Sequence, residues 1–394
     1  MKITHLHSTF AIPWGGAEAY LFALAAAQGE RGHDVEIVTA VADGESIARA
    51  AAAGIRVSIR PTWRPYPPDR RGSSPLARVV FHGLDLLHAV RRPRAYLHVQ
   101  DGRDIVHVHR FQGVGASILR ARRAPVVHTA HDFCLVDTAS TTLRDGVLPP
   151  RLGALQRLRA RILARSARET TVIVFPSERT RLRHAELGFD VGRARGRVVP
   201  HGWPTPPLPT GEVEKPSRPR FVFLGRLQES KGIDLLLRAW NEAQLDADLV
   251  IAGDGPERAT VQAAVGDRVQ YVGWVDSETK SALIRSATAL VFPSLWPETF
   301  GLVIAESLLL GRPVVATPTA AGELVVDGGN GVVSSDATPS ALAAALRRIA
   351  SDPALCATIT AGAAASAVEL DFDGHLDRIE AIYREARDAF DTAR

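Results

Sequence analysis

The segment Glu298-Thr-Phe-Gly-Leu-Val-Ile-Ala-Glu306 sets two carboxylates eight residues apart in an apolar stretch. If a helix starts near Gly301, Glu298 lies in the loop before it and Glu306 lies on its second turn. A buried carboxylate is costly unless hydrogen-bond donors satisfy it, and sugar hydroxyls are such donors. An exposed acidic pair is the alternative, but the apolar flanks disfavour exposure. The segment therefore predicts a site for sugar hydroxyls.

Two loops, each between a predicted strand and a predicted helix, carry residues suited to phosphate. Gly15 and Gly16 open a helix whose free amide groups can bind an anion, although this pair taken alone fits a plain turn better. Arg226 and Lys231 flank the loop that begins at Gly225. A planar guanidinium beside a compact ammonium suits a diphosphate, and we favour this interpretation over two solvated loop charges.

Short apolar runs alternate with helical patterns along both halves of the chain, which is typical of parallel sheets covered on both faces. The predicted strands of the first half are Lys2–His7, Asp34–Thr39, Ile55–Ile59, Ile105–His109, Val126–Ala130, Val172–Phe175 and Val198–Pro200. Those of the second half are Phe221–Leu224, Leu249–Ala252, Val269–Val272, Ala289–Phe292 and Val314–Ala316. The predicted fold class is α/β, with two tandem doubly wound, Rossmann-like domains.

A proline-rich break separates the two halves. Six prolines fall within residues 201–219, and no helix or central strand tolerates so many. We therefore expect an N-terminal domain over 1–203, a linker over 204–219 and a C-terminal domain over 220–372. A final helix within 373–394 is a candidate to pack back on the N-terminal domain. Because ligands of such sheets bind at the carboxyl ends of strands, we expect the site in the interdomain cleft.

The composition is that of a globular chain, since hydrophobic residues make up 46% and charged residues 23% of the 394 residues. This excludes a disordered or fibrous protein. The two cysteines are too few for a disulfide scaffold or a cysteine-rich zinc site, and they favour a reducing compartment. The N-terminal residues lack a signal-peptide pattern, and no uninterrupted apolar run of about 18 residues occurs. We expect a cytoplasmic protein.

The net charge of +4 conceals an asymmetry between the halves. Residues 1–210 hold 30 Lys and Arg against 17 Asp and Glu, whereas residues 211–394 hold 17 against 26. The predicted helix Arg151–Arg168 combines leucines with arginines, and such a helix can lie on anionic lipid at the inner face of the membrane. We favour an ordinary helix that packs its leucines on the sheet. Nucleic-acid binding is disfavoured because the sequence has no recognisable motif for it.

Together these motifs resemble those of family-4 retaining glycosyltransferases of the GT-B fold, in the expected order and over nearly the whole chain. The matching motifs are Gly15-Gly16-Ala17-Glu18, His131-Asp132, Gly225-Arg226 with Lys231-Gly232, Gly253-Asp254-Gly255-Pro256, and the segment from Phe292-Pro-Ser to Glu306. The resemblance implies transfer of a sugar from a nucleoside-diphosphate sugar to an acceptor hydroxyl. It implies no metal ion and no other cofactor.

The resemblance also implies roles for individual residues. The residues with an implied catalytic role are His131, which orients the sugar or the acceptor, Glu298, Arg226 and Lys231. The donor diphosphate is implied to bind to a backbone N–H of Gly15 and Gly16 and to the cations Arg226 and Lys231. The implied partner of the ribose is Glu306, and that of the donor sugar is Glu298. The amides of Phe300 and Gly301 are implied to face the sugar and the phosphate. The loop Ser8–Ala17 is expected to hold the acceptor.

Other residues resemble metal ligands or depart from the family pattern. His107 and His109 lie on one strand but lack a third ligand nearby, so we interpret them as structural. Asp246-Ala-Asp248 matches a metal-binding Asp-x-Asp motif only superficially, and we interpret it as solvated surface. Pro200-His201-Gly202-Trp203 stands where many relatives have Asn-Gly, and we assign it no site role.

Two other functions fit the same motifs. One is a nucleotide-sugar epimerase or hydrolase of the same fold, and the other is a basic binding protein without catalysis. The sequence leaves open the nucleotide, the sugar and the acceptor, which could be a polysaccharide intermediate, a lipid-linked sugar or a small natural product.

Overall fold

The computed structural model describes residues 1–394 without 69–73, 92–97, 144–147, 150, 168–171, 193–194, 212–215 and 394. The chain divides into two compact units. The first comprises Met1–Ser140, Pro150–Pro200 and Asp373–Arg394, and the second comprises Thr141–Pro149 and His201–Phe372. Residues 201–203, which the sequence analysis assigns to the first domain, therefore group with the second unit. The described part of the predicted linker 204–219 contains neither helix nor strand, and its residues 212–215 lie outside the described residues.

The first unit is built on one parallel sheet. Its described strands are β1 (Lys2–Phe10), β2 (Asp34–Ala42), β3 (Arg56–Ile59), β4 (Ile105–Arg110), β5 (Val126–Thr129), β6 (Val172–Phe175) and β7 (Gly196–Val198). They pair in the order β3-β2-β1-β4-β5-β6-β7, so the chain reverses its direction of travel across the sheet between β1 and β4. The last strand lies two residues earlier than the predicted Val198–Pro200.

Helices connect these strands, as the alternation of patterns predicts. They are α1 (Gly16–Glu30), α2 (Gly44–Ala52), α3 (Pro75–Arg91), α4 (Ala154–Ala167) and α5 (Glu178–Glu186). The end of the predicted helix Arg151–Arg168 lies outside the described residues.

The second unit repeats the arrangement. Its described strands are β8 (Arg220–Leu224), β9 (Asp248–Ala252), β10 (Val269–Gly273), β11 (Ala289–Phe292), β12 (Val314–Ala316) and β13 (Gly331–Val333). They pair in parallel in the order β10-β9-β8-β11-β12-β13, with the reversal between β8 and β11. The helices are α6 (Ile233–Ala243), α7 (Arg258–Ala263), α8 (Ser277–Ser286), α9 (Leu302–Leu309), α10 (Pro318–Ala321), α11 (Pro339–Ser351) and α12 (Pro353–Ser366). The sequence analysis assigns no strand beyond β12, so it misses β13.

Successive side chains of β8 explain why both faces of this sheet must be covered. Phe221 and Phe223 point into one core cluster, whereas Val222 and Leu224 point into another, and all four are at most 3% exposed. Side chains alternate between the faces of a strand, so a strand that is apolar at every position needs helices on both sides. This confirms the predicted doubly wound sheet.

The last helix, α13 (Phe372–Thr392), supplies buried side chains to the first unit. His375 Nε2 lies 2.8 Å from the Tyr20 hydroxyl, and the Tyr383 hydroxyl lies 2.7 Å from His107 Nδ1. Among the described residues, one helical run, Pro353–Thr392, contains an 18-residue stretch that is long and apolar enough to cross a membrane by length and composition, with a mean hydropathy of 1.3 over that stretch.

The orientation of α4 differs from the favoured prediction. Leu155 is 84% exposed and Leu158 is 53% exposed, so these leucines do not pack on the sheet. The inward face of the helix is formed by Ala160, Leu163 and neighbouring alanines. The helix packs against α3 and the short turn Ala116–Leu119, and Leu155 and Leu158 are turned to solvent.

Candidate functional site

The loops that follow β8 and β9 are joined by backbone hydrogen bonds at the carboxyl ends of the strands. The Leu227 amide donates to the Asp254 carbonyl at 2.9 Å, and the Gly225 amide donates to the Ala252 carbonyl at 3.2 Å. A Cβ on Gly253 would lie 1.9 Å from the Gly225 carbonyl oxygen, so only glycine allows this approach. The predicted motif Gly253-Asp254-Gly255-Pro256 therefore shapes the loop that begins at Gly225.

The loops that follow β8 and β11 meet at the point where the strand order reverses. The Leu295 amide and the Ser294 hydroxyl both donate to the Ser230 carbonyl, at 2.9 Å and 3.0 Å. Gly232 has a φ of +72°, and a Cβ there would lie 2.1 Å from the Pro293 carbonyl oxygen. In open α/β sheets, ligands bind at such a reversal, outside the carboxyl ends of the strands.

Lys231 and Glu298, two predicted site residues, are in direct contact at this reversal. Lys231 Nζ donates to Glu298 Oε1 at 2.5 Å. The same oxygen accepts hydrogen bonds from the Ser294 hydroxyl at 2.8 Å and from the indole nitrogen of Trp296. Glu298 is 8% exposed, so these three donors offset the cost of burying its charge. The sequence places both residues in the site but does not predict this contact.

Arg226, the second predicted cation, lies at the start of the same loop. Its side chain is exposed, and it has no hydrogen bond or ion pair with any residue that the structure describes. Arg226 is therefore available to an external anion, whereas one of the three ammonium protons of Lys231 is already donated to Glu298.

Glu306 occupies the predicted position on the second turn of α9, whose N-cap is Gly301. It is 5% exposed, and its Oε1 accepts a hydrogen bond from Lys280 Nζ on α8. Its other oxygen, Oε2, is buried without a hydrogen-bond partner among the described residues. Lys280 is a site residue that the sequence reasoning missed. It is one of only four lysines beside 43 arginines, and this rarity was the available signal.

Phe300 and Gly301 lie immediately before α9, where helix N–H groups lack partners within the helix. No side chain caps this end of the helix. Phe300 is 7% exposed, and its ring packs edge-on against the buried ring of His201 at 5.0 Å. The stretch around His201, to which the sequence analysis assigns no site role, thus supports a predicted site residue by packing.

In the first unit, Gly15 and Gly16 open α1 as predicted. Gly15 is the N-cap, and its amide donates to Glu18 Oε2 at 3.1 Å. The other oxygen of Glu18 accepts from the Thr9 hydroxyl at 3.2 Å. This capping arrangement uses the Gly15 N–H, so the amide of exposed Gly16 is the first-turn donor that could meet an anion.

His131 follows β5 and is fixed by two aromatic neighbours. Its Nε2 lies 2.9 Å from His109 Nδ1, with the two rings stacked at 5.2 Å. The edge of Tyr20 packs on it at 5.0 Å. Burial lowers the pKa of His131 well below its usual value, and nearby imidazoles lower the pKa further. His131 is therefore a neutral imidazole at physiological pH.

The prediction that His107 and His109 lack a third ligand nearby was wrong. Ring nitrogens of His5, His107 and His109 lie within 4.8 Å of one another, because β1 pairs directly with β4 and sets His5 opposite His107. By contrast, Asp246 is a surface residue as predicted. Its side chain is 77% exposed and pairs with Arg268 at 2.7 Å and Arg218 at 3.3 Å.

Two family descriptions match separate parts of the chain. Residues 14–205 match Glycosyltransferase Family 4, and residues 218–352 match Glycosyl transferases group 1. D-inositol 3-phosphate glycosyltransferase 1 of Catenulispora acidiphila is 30% identical over 322 residues, which cover 72% of each chain. D-inositol 3-phosphate glycosyltransferase of Xylanimonas cellulosilytica is 29% identical and covers 94% of this chain and 92% of its own.

Among solved structures, HepE of Anabaena in complex with UDP-glucose matches with a TM-score of 0.70. The match covers 97% of this chain and 99% of HepE at 20% identity, which establishes a common fold. Two doubly wound sheets with this similarity define the GT-B fold. With the matches of its sequence, the chain belongs to glycosyltransferase family 4. The predicted fold, family and enzyme class are confirmed.

Proposed function

We propose that this enzyme transfers a sugar from a nucleoside-diphosphate sugar to an acceptor hydroxyl, with retention of configuration and without a metal ion. The observation that carries the proposal is the contact of Lys231 with Glu298 where β8 and β11 end. A cation suited to phosphate and a carboxylate suited to hydroxyls stand side by side. A nucleotide sugar carries both groups, and HepE, which has the same fold, was solved with UDP-glucose.

The diphosphate is proposed to bind to Lys231, Arg226 and backbone amides. Lys231 has three ammonium protons, of which Glu298 takes one, and Arg226 offers a planar fork for two phosphate oxygens. The amides at Phe300 and Gly301 precede a helix whose positive end favours an anion. In the first unit, the loop of Gly15 and Gly16 is proposed to offer the Gly16 N–H in the same way.

The hydroxyls of the donor are proposed to bind to the two glutamates. Glu306 Oε2 is a buried acceptor without a partner among the described residues, so a ribose hydroxyl would satisfy it. Glu298 uses Oε1 for three protein donors, which leaves Oε2 for a hydroxyl of the sugar. Lys280 is proposed to hold Glu306 in place for this purpose.

The same hydrogen bonds argue against Glu298 as a covalent nucleophile. Three donors on one oxygen of Glu298 spread the charge of its carboxylate and reduce its reactivity. Glu306 likewise accepts a hydrogen bond from Lys280. We therefore assign the proton transfer to the donor itself. The bond between the anomeric carbon and phosphate breaks, the acceptor oxygen bonds to that carbon on the same face, and its proton passes to the departing β-phosphate.

The chain's own residues assist this step by orientation and charge. His131 is proposed to orient the sugar and the acceptor, because holding reactants in place removes much of the entropic barrier. Arg226 and Lys231 stabilise the charge that grows on the leaving diphosphate. Two fixed cations at this position supply the charge stabilisation that a metal ion provides elsewhere, so no metal is proposed.

The acceptor is proposed to be a polar hydroxyl compound. Two similar proteins carry the name D-inositol 3-phosphate glycosyltransferase, so D-inositol 3-phosphate is the first acceptor to test. Polysaccharide intermediates, lipid-linked sugars and small natural products are the acceptors to test next.

We also propose a cytoplasmic location with peripheral contact to anionic membrane through the first unit. Leu155 and Leu158 are exposed on α4, and the exposed arginines Arg157 and Arg161 lie beside them. Apolar and basic side chains on one helix favour an anionic bilayer surface.

The deciding experiment measures release of nucleoside diphosphate with and without acceptor. A thermal-shift panel of UDP-, GDP- and ADP-sugars identifies the donor, since a ligand at 100 times its Kd stabilises by about 2.7 kcal/mol. Release only with acceptor supports a transferase. Equal release without acceptor indicates a hydrolase, conversion of the sugar without release indicates an epimerase, and binding without turnover indicates a non-catalytic protein.

A further inference from the structure

A chain of hydrogen bonds runs from His131 into the core of the first unit. His131 Nε2 lies 2.9 Å from His109 Nδ1, and His109 Nε2 lies 3.0 Å from His5 Nδ1. His5 Nε2 lies 2.7 Å from Gln28 Oε1. His5 and Gln28 are fully buried and His109 is 2% exposed. Two imidazoles and three hydrogen bonds therefore connect His131 to an amide in α1.

A second branch fixes the amide of Gln28. Its Nε2 donates to the Tyr383 hydroxyl at 3.3 Å. The Tyr383 hydroxyl lies 2.7 Å from His107 Nδ1, and His107 Nε2 lies 2.7 Å from the Thr129 hydroxyl. Gln28 thus lies between the two branches, with its oxygen turned to His5 and its nitrogen turned to Tyr383.

The imidazoles in both branches carry one proton each. Burial lowers the pKa of His5 to about 4 and the pKa values of His107 and His109 well below the usual value. A neutral imidazole has one N–H donor and one nitrogen that accepts. The direction of every hydrogen bond in the chain then follows from any one of them.

The amide oxygen of Gln28 sets that direction, because it can only accept. His5 therefore carries its proton on Nε2, and its Nδ1 accepts from His109 Nε2–H. His109 Nδ1 in turn accepts from His131 Nε2–H. The proton of His131 is on Nε2, and the lone pair is on Nδ1.

We propose that Gln28 is a positioning residue that holds His131 in the Nε2–H tautomer through His5 and His109, so that His131 meets a substrate hydroxyl as a hydrogen-bond acceptor. This inference rests on the proposed role of His131 at the sugar or the acceptor. The Nδ1 lone pair can receive a hydroxyl proton in a hydrogen bond, whereas the opposite tautomer can only donate there.

A metal ion held by His5, His107 and His109 is the competing interpretation of this cluster. All six ring nitrogens of these residues already have protein partners at 2.7–3.0 Å. A metal would have to break several of these bonds, so the hydrogen-bonded chain is favoured.

The test uses the full-length protein labelled with 15N-histidine. The 15N shifts of neutral imidazoles distinguish the tautomers, and a 15N–15N coupling across the hydrogen bond links His131 to His109. In the unsubstituted protein we expect Nε2–H on His5, His109 and His131, together with this coupling. In Gln28→Met, an N–H on His5 Nε2 would be buried without an acceptor, which is costly. We therefore expect the protons to reverse, leaving His131 as Nδ1–H.

Activity provides the second measurement. In Gln28→Met we expect kcat to fall by about tenfold, the effect of one lost hydrogen bond, with the donor KM changed by less than about twofold. Tyr383→Phe, which frees the amide of Gln28 while keeping the ring, should shift the tautomer in the same direction. The matched control is Gln100→Met, another fully buried glutamine of the first unit, whose partners are backbone groups of residues 120–123.

Several outcomes would overturn the proposal. In the unsubstituted protein, these are an Nδ1–H on His131, the absence of a coupling between His131 and His109, or one equivalent of bound metal that survives dialysis. In the variants, it is an unchanged His131 tautomer in both Gln28→Met and Tyr383→Phe. The NMR experiment needs no substrate. If neither the unsubstituted protein nor any variant transfers sugar, the proposed function is wrong. The NMR result then still shows whether Gln28 sets the tautomer of His131.

Discussion

Lys280 on α8 donates a hydrogen bond to Oε1 of Glu306 on α9, while Oε2 of the same carboxylate is buried and lacks a partner among the described residues. Such a half-satisfied carboxylate is costly to keep, and a ligand hydroxyl would remove the cost.

Breaking this pair should destabilise the second unit. We expect Lys280→Met to lower the free energy of unfolding by about 3 kcal/mol, because it leaves a buried carboxylate without its cation. Lys280→Met with Glu306→Leu should be more stable than the single variant, with a coupling energy above about 1 kcal/mol. Denaturant unfolding measures both. The control cycle is Arg238 with Asp234, a pair that is 66% and 74% exposed, for which we expect a coupling near zero.

Removing either cation of the proposed diphosphate site should impair turnover. Arg226→Ala should leave the free energy of unfolding unchanged, whereas Lys231→Ala should also lower it because buried Glu298 loses its cation. We expect Lys231→Ala and Arg226→Ala each to reduce kcat by about 10²-fold or more, because they stabilise charge on the leaving diphosphate. Arg238→Ala, an exposed arginine on α6, is the matched control and should keep full activity. Full activity of either site variant at saturating donor would remove that residue from the proposed mechanism.

The proposed mechanism fixes the stereochemistry of the product. With an α-linked donor sugar, proton NMR of the new anomeric centre should report an α linkage, and activity should persist in excess EDTA. Mass spectrometry of the enzyme with slow donor analogues should find no sugar on Glu298. An inverted product, or a covalent adduct on Glu298, contradicts the mechanism, and loss of activity in EDTA contradicts metal independence.

Association of the first unit with anionic membrane should depend on α4 and on salt. We expect the full-length protein to bind vesicles with anionic lipid, and binding should weaken with salt, since each basic residue near the surface contributes about 1 kcal/mol that salt screens. The double variant Leu155→Glu, Leu158→Glu should bind markedly less. Leu182→Glu, on α5 and 47% exposed, is the control. Salt-independent binding, or equal binding by both variants, would exclude α4 as the contact.

Buried histidines should make the protein sensitive to mild acid. Burial lowers the pKa values of His5, His128, His184 and His375 from 6.5 to about 4. Between pH 6.5 and about 4, these histidines bind more protons in the unfolded chain than in the native one. The free energy of unfolding is therefore greatest above pH 6.5 and falls as the pH drops toward 4.

His184 offers a direct check of this effect. It is stacked on Phe133 at 4.8 Å, so His184→Phe should be accommodated by its aromatic neighbours. Between pH 6 and 4.5, the slope of the free energy of unfolding against pH should decrease by about 1.4 kcal/mol per pH unit. Replacing exposed His98 by Gln should leave the slope unchanged. An unaltered slope in His184→Phe would show that this histidine is not held neutral.

The sequence predicts what depends on local pattern. The start of α9 at Gly301 and the position of Glu306 on its second turn follow from the apolar spacing. The contact between Lys280 and Glu306 does not, because it joins two helices and depends on how both pack on the sheet. His5 reaches His109 across 104 residues of sequence because β1 pairs with β4, a strand order that alternation alone leaves open.

The face of α4 illustrates a different limit. Hydrophobicity assigns Leu155 and Leu158 to the interior, whereas the interior is filled by Ala160 and Leu163. Which face of a helix turns inward depends on the surfaces that pack against it, and α4 packs against α3 and the turn Ala116–Leu119. A pattern of apolar residues alone does not contain that information.

The membership of α13 in the first unit has a consequence for biosynthesis. Tyr383 and His375 bond to His107 and Tyr20, yet the ribosome must complete the second unit before it synthesises them. At 5–20 residues per second, the intervening segment His201–Phe372 delays them by roughly 10 to 30 s. During this time buried His107 lacks the Tyr383 hydroxyl and the Tyr20 hydroxyl lacks the His375 imidazole. A C-terminal nonsense mutation would therefore damage the part of the protein that was made first.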